Sequence, residues 1–271
     1  MKNYDKYVVI EDYICYNIIC CYNLMYLQEK FMYKNYIFDL YGTLIDINTN
    51  EWNANLWKKM QEFYAFHGAV YKTVDLKREY FRICEEEEKK MSDKYDYPEI
   101  KVENVFMKLF QNKGIDIDMN TCIVAGQFFR IISTEYIRLY DGVVEMLELL
   151  KNKNKKIYLL SNAQQIISEY EMKYLDIYKY FDGIVFSSDE KCRKPSKTFY
   201  NILLNRYNLK KEESVMIGND WISDIEGAKK AGLDSVYLHT NISPRKTIIE
   251  NVQAKYIIKD GNIESIRKII A

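Results

Sequence analysis

Histidine is nearly absent from this sequence, with only His67 and His239 among 271 residues. That scarcity argues against a histidine-based triad or metal cage, and both are expected to be ordinary packing or surface residues. Cysteine offers no scaffold either: the six, at positions 15, 20, 21, 84, 122 and 192, form no CxxC pair and no regular framework. Neither a zinc site nor a disulfide network is favoured, and a reduced, cytoplasmic protein is the simplest expectation. A charge excess is missing too, with 39 basic and 39 acidic residues. Nothing in that balance suggests a basic footprint for nucleic acid or a polybasic surface for a membrane, although a balanced total says nothing about where the charges lie. Proline occurs three times and tyrosine 25 times. We read that skew, alongside abundant Asn, Ile and Lys, as a bias of the coding genome.

A long apolar run is also lacking. The most apolar opening, residues 13–27, is short for a membrane span and carries Asn17 and Asn23. It has no clear basic start and no small-residue cleavage site, so a secretory signal is not expected. Residues 1–31 read as an extension, or an upstream start choice before Met32, with no catalytic role.

What remains is an ordinary globular balance of 48% hydrophobic and 29% charged residues. The length suits one large domain, or a core with a smaller companion. Short apolar runs recur at 36–38, 157–160, 184–186, 215–217 and 236–238, with a candidate edge strand at 256–258. Such runs, without polar alternation, suit strands buried on both faces of a parallel sheet. Amphipathic segments lie between them, at 143–151, 196–207 and 222–230, the last followed by Gly232 as a candidate C′ residue. This alternation predicts an α/β, doubly wound parallel sheet. Between the first strand and the second, residues 48–136 read almost entirely as helix, with segments at 52–66, 76–90, 102–111 and 122–135. The core is then 32–47 plus 137–271, and the acidic run Glu85–Glu88 is expected to be a solvated helix face.

In open parallel sheets, ligands bind beyond the carboxyl ends of the strands, at a topological switch point. The residues standing there are Asp39 to Thr43, then Ser161-Asn162, then Lys194-Pro195, then Asn219-Asp220 with Asp224. Each has a bland alternative. Asp39 can open a turn, Ser161-Asn162 can cap the next helix, Lys194 can be a solvated loop residue, and Asp224 can complement a helix dipole.

Taken in order, the set resembles the four motifs of the haloacid dehalogenase superfamily of phosphatases, phosphomutases and dehalogenases. Phe38-Asp39-Leu40-Tyr41-Gly42-Thr43-Leu44 is similar to the first motif, Leu160-Ser161-Asn162 to the second and Arg193-Lys194-Pro195 to the third. Gly218-Asn219-Asp220-Trp221-Ile222-Ser223-Asp224 is similar to the fourth. The resemblance runs from about Tyr33 to the end, and the helical segment matches in position and type the family's inserted helical cap. It implies a Rossmann-like core with a cap that closes over the site. Asp39 is implied as the nucleophile that forms an aspartyl intermediate. Asp220, Asp224, a carboxylate oxygen of Asp39 and the Tyr41 carbonyl are implied as Mg²⁺ ligands. Ser161 and Lys194 would hold the transferring phosphoryl group, with Asn162, Thr43 and the amides around Gly42 completing the cradle. The implied partner is a small phosphorylated molecule.

One position departs from the pattern. Phosphatases of the family carry a second Asp two residues after the nucleophile, as general acid and base, and this chain has Tyr41. A phenol with an ordinary pKa near 10 is poorly poised for that task. Tyr there is typical of the metal-independent 2-haloacid dehalogenases, which also have a tyrosine where Tyr200 stands. The acidic pair Asp220 and Asp224 opposes that alternative, because unpaired carboxylates beside an anionic substrate call for a cation. A third reading, a catalytically weak relative that binds a phosphorylated metabolite, stays open.

Overall fold

The chain enters the sheet at β1 (Asn35–Phe38), whose four residues are all buried. A computed structural model describes residues 33–269. The segment 1–31, with Cys15, Cys20 and Cys21, lies outside the described residues.

After β1 and the turn that carries Asp39, β2 (Ile45–Thr49) leads into four helices: α1 (Ala54–Phe66), α2 (Thr73–Ser92), α3 (Val102–Gln111) and α4 (Met119–Ser133). The strand β3 (Thr134–Leu139) brings the chain back. There follow α5 (Val143–Asn152), β4 (Lys156–Ser161), α6 (Gln165–Tyr174), β5 (Gly183–Phe186), α7 (Lys197–Arg206) and β6 (Ser214–Gly218). A π-helical turn (Trp221–Glu226), α8 (Gly227–Ala231), β7 (Asp234–Leu238) and the edge strand β8 (Tyr256–Ile258) complete the core.

The six core strands are all parallel, in the order β5-β4-β1-β6-β7-β8. Counting these six alone, that is the doubly wound order 3-2-1-4-5-6, whose switch point lies between β1 and β6. The register sets Phe38 beside Leu159 of β4 and Ile217 of β6, so Asp39 emerges level with Leu160 and Gly218. Apolar side chains on both faces of the strands explain the burial. Leu147, Leu150, Leu159, Ile217 and Ile263 pack on one face, and Ile37, Leu160, Phe199, Leu203 and Met216 on the other.

The four helices between β2 and β3 have their own apolar core. Trp57, Tyr80, Phe106 and Phe129 sit with ring centroids 5.2 to 5.8 Å apart, and each comes from a different helix. Ile166 of α6 joins that cluster, which docks the helices onto the sheet domain. Among the described residues, no helix is long and apolar enough to cross a membrane.

Three expectations need correction. Residues 48–136 hold the four expected helices, but the ends of that span, Asn48–Thr49 and Thr134–Tyr136, belong to an antiparallel ribbon in which β2 and β3 pair Ile45 with Leu139 and Ile47 with Ile137. The alternation Ile45-Asp46-Ile47 and Tyr136-Ile137-Arg138-Leu139 is the strand period. Second, the segment 222–230 is a π-helical turn running into a short α-helix, although Gly232 ends it in the left-handed region (φ 82°) as expected. Third, the acidic run is only partly a solvated face, since Glu88 reaches Arg193 of the third motif at 2.7 Å.

Candidate active site

β1 delivers Asp39 to the switch point, where its N–H donates to the Ile217 carbonyl of β6 at 2.9 Å. From the loop after β5, the Lys194 ammonium reaches between two carboxylates, 2.6 Å from Asp39 Oδ1 and 2.7 Å from Asp224 Oδ1. All three side chains are buried. Burial pushes the Lys194 pKa down, but Asp224 and Asp39 more than offset it and hold the ammonium protonated. Two carboxylates thus share one ammonium. For Asp224, deep burial and the Asp39 charge push the pKa up against the pull of Lys194.

The loop carrying Lys194 is held by Asn162, at the end of β4. Asn162 Oδ1 accepts from the Lys194 N–H at 2.8 Å, and its Nδ2 donates to the Lys194 carbonyl at 3.1 Å. Ser161, one residue earlier, is buried, and its Oγ is without a partner among the described residues. A buried hydroxyl without a partner is costly unless a ligand completes it.

A cavity of about 230 Å³ at the strand ends is lined by Asp39, Tyr41, Ser161, Asn162, Lys194 and Asp220, among others. Six of the nine candidate residues therefore meet in one space. Gly42, Thr43 and Asp224 stand behind its wall. Gly42 has φ +82°, and a Cβ there would lie 2.2 Å from Asn219 Nδ2, so only glycine fits. Thr43 is fully buried with its hydroxyl turned to Asn219 Oδ1 at 3.4 Å. Asp224 uses Oδ1 for Lys194 and Oδ2 to accept the Asp220 N–H at 2.9 Å. Asp220 itself caps the π-helical turn, accepting from the Ile222 N–H at 2.8 Å.

Tyr41 lines the cavity, but its hydroxyl is tied to the helix behind it. Its hydroxyl bonds Ser168 Oγ at 2.7 Å and Glu171, both on α6. Arg130 of α4 clamps Glu171 at 2.6 Å and lies over the Tyr41 ring at 5.2 Å. Burial first, and the Glu171 charge second, raise the phenol pKa far above its usual value. Tyr200 is likewise committed: its hydroxyl lies 2.7 Å from the Ser223 carbonyl and 3.0 Å from that of Asp224. Both hydroxyls already have partners within the protein.

The sequence reading assigned no role to Asn219, Ser223, Ile242 and Pro244, which also line the cavity. Asn219 stands in the fourth motif at a strand end, which was a usable signal. Ile242 and Pro244 follow β7 in an irregular loop, and no pattern marks them. The Arg130–Glu171 pair joins α4 to α6, and only the tertiary fold brings it to Tyr41.

The fold and site define a class: hydrolases with a carboxylate at the end of the first strand of a doubly wound sheet. The haloacid dehalogenase-like hydrolase family model matches residues 33–232, and the chain belongs to that family. It is 34% identical over 106 residues to a phosphorylated carbohydrates phosphatase of Thermotoga maritima, covering 39% of this chain and 49% of the relative. It is 23% identical to the pyrimidine 5'-nucleotidase PynA of Streptococcus pneumoniae, covering 84% of this chain and 93% of the relative. The chain spans about half the length of the first curated relatives it matches. The 2-haloacid dehalogenase of Pseudomonas syringae superposes with a TM-score of 0.60 at 16% identity, covering 89% of this chain and all of that one. At that identity the likeness concerns the fold alone.

Proposed function

We propose that the protein is a Mg²⁺-dependent phosphatase-type hydrolase of a small phosphorylated metabolite, working through an aspartyl-phosphate on Asp39. The observation that carries the reading is the buried Ser161 Oγ, without a partner among the described residues, in the cavity that holds Asp39 and Lys194. A hydroxyl donor, an ammonium and a carboxylate nucleophile around one small polar space suit a tetrahedral phosphoryl group. Relatives named for phosphorylated carbohydrates and pyrimidine nucleotides support this substrate class. The free thiols of Cys84, Cys122 and Cys192 suit a reducing cytoplasm.

The residues fit the metal by their chemistry. The described residues hold no group of three His, Cys, Asp or Glu side chains able to cage an ion. Mg²⁺ needs no such cage, since one or two carboxylates with waters and substrate phosphate hold it. Asp39 and Asp220 line the cavity with Tyr41, and they would be its ligands together with the Tyr41 carbonyl. Asp224 is left to anchor Lys194. When bound, the ion supplies charge neutralisation for an anionic nucleophile meeting an anionic phosphate.

The protein groups then divide the work. Asp39 attacks phosphorus, Lys194 and Ser161 bind the equatorial oxygens, and Asn162 keeps Lys194 in place. The metal-independent 2-haloacid dehalogenase reading is weaker, because Asp220 adds a second carboxylate to the cavity and Tyr200 is tied to backbone carbonyls.

The test is turnover of acetyl phosphate and p-nitrophenyl phosphate, with Mg²⁺ and with chelator, beside Asp39→Asn. Phosphate release that needs both the metal and Asp39 is the expected result. Silence here, with halide release from 2-chloropropionate in metal-free buffer, would overturn it in favour of the dehalogenase. Silence in both assays leaves a binding protein.

A further inference from the structure

A phosphatase of this kind needs a proton for its leaving group, and Tyr41 does not supply one. The cavity at Asp39 adjoins a second, of about 270 Å³, whose lining includes Tyr41, Glu51, Tyr80, Phe129, Arg130 and Asn162. Tyr41 and Asn162 belong to both linings. This second space, walled by the helices of the insertion, can take a leaving group as it departs from the face of phosphorus opposite the attacking Asp39 carboxylate.

Among the described residues, Glu51 is the one carboxylate on that wall. It stands between β2 and α1, in a segment fixed from both sides. The Trp57 Nε1–H donates to the Glu51 carbonyl at 2.7 Å, and the Asn50 N–H donates to the Ser133 carbonyl of α4 at 2.7 Å. The backbone is thus pinned while the carboxylate is half-buried, with no hydrogen bond or ion pair among the described residues. The charged and titratable groups facing it are Arg130 of α4 and Tyr80 and Cys84 of α2. Arg130 is already engaged by Glu171.

We propose that Glu51 is the general acid and base of this enzyme, delivered from the helical insertion in place of the missing acid at position 41. The inference rests on the phosphatase reading above. In the first step Asp39 forms an O–P bond as the substrate P–O bond breaks, and the Glu51 carboxyl gives its proton to the departing oxygen. In the second, Glu51 carboxylate takes a proton from water as that water attacks phosphorus, releasing phosphate and Asp39 and restoring protonated Glu51. Burial raises the Glu51 pKa, opposed by Arg130, so the acid form persists further towards neutrality than for an exposed glutamate.

The experiment is single-turnover phosphorylation of the full chain by p-nitrophenyl phosphate and by glycerol phosphate, in wild type and Glu51→Gln. Nitrophenolate leaves unaided, whereas an alkoxide needs the proton. Glu51→Gln is expected to leave the nitrophenolate burst within about threefold and to slow glycerol phosphate by roughly 10²- to 10⁴-fold. The wild-type rate on glycerol phosphate should fall as pH rises through the Glu51 pKa, and that limb should vanish in the variant. An equal loss on both substrates, or no loss on either, overturns the proposal while leaving the phosphatase reading intact. No Asp39-dependent burst in wild type overturns both.

Discussion

The carboxamide of Asn162 clasps the backbone of Lys194 from both sides, accepting its N–H at 2.8 Å and donating to its carbonyl at 3.1 Å. One side chain thereby couples the end of β4 to the loop after β5 and fixes where the ammonium of Lys194 stands in the Asp39 cavity.

Asn162→Ala removes both bonds and leaves a buried N–H without a partner. We expect a loss of about 1–3 kcal/mol in urea unfolding. Catalysis should suffer more, because Lys194 loses its setting, and kcat should fall with little change in KM. Asn162→Asp keeps the acceptor but not the donor, and it should lie between the two. A variant with wild-type kcat would remove the positioning role.

Tyr41→Phe tests whether the hydroxyl takes part in the chemistry. Its partners are Ser168 and Glu171, so the loss should fall on stability, by about 1 kcal/mol for the hydrogen bond. Turnover should stay within a few-fold, since the phenol is held protonated far above neutral pH. A tenfold or greater drop in kcat at unchanged melting temperature would give the hydroxyl a catalytic part.

Asp46 links the ribbon to the core, accepting from Arg138 at 2.8 Å, Tyr136 at 3.1 Å and Asn241 at 2.9 Å. Burial pushes its pKa up, but the bonds from Asn241, Arg138 and Tyr136 more than reverse that, leaving it below the ordinary value. A lowered native pKa stabilises above the unfolded value, and that contribution is lost as pH falls through the native one. Asp46→Asn should therefore be less stable than wild type at pH 7, and the gap should close in acid below the ordinary aspartate range. Urea melts across pH 3 to 7 measure it; a gap independent of pH would contradict the assignment.

Much of the fold was legible because burial on both faces imposes a continuous apolar run, and each such run became a core strand. The ribbon was missed although its alternation is present. Short strands next to long helices leave a weak local signal, and Asp46 reads as a surface residue until Arg138 and Asn241 are brought to it. The candidate site was legible as an ordered series of strand ends, since a parallel sheet gathers those ends by construction.

The sequence by itself determined the family, the doubly wound core and Asp39 as the residue at its switch point. Those follow from local patterns, which survive in one dimension. Only the tertiary structure decided that Asn162 holds Lys194, that Asp224 serves Lys194, that Tyr41 is bound to α6, and that Glu51 borders the adjoining cavity. Each of these depends on the direction of a side chain across a gap of tens to over a hundred residues. Spacing carries no such information, because hydrogen-bond geometry and burial are fixed only when the helices and strands have packed.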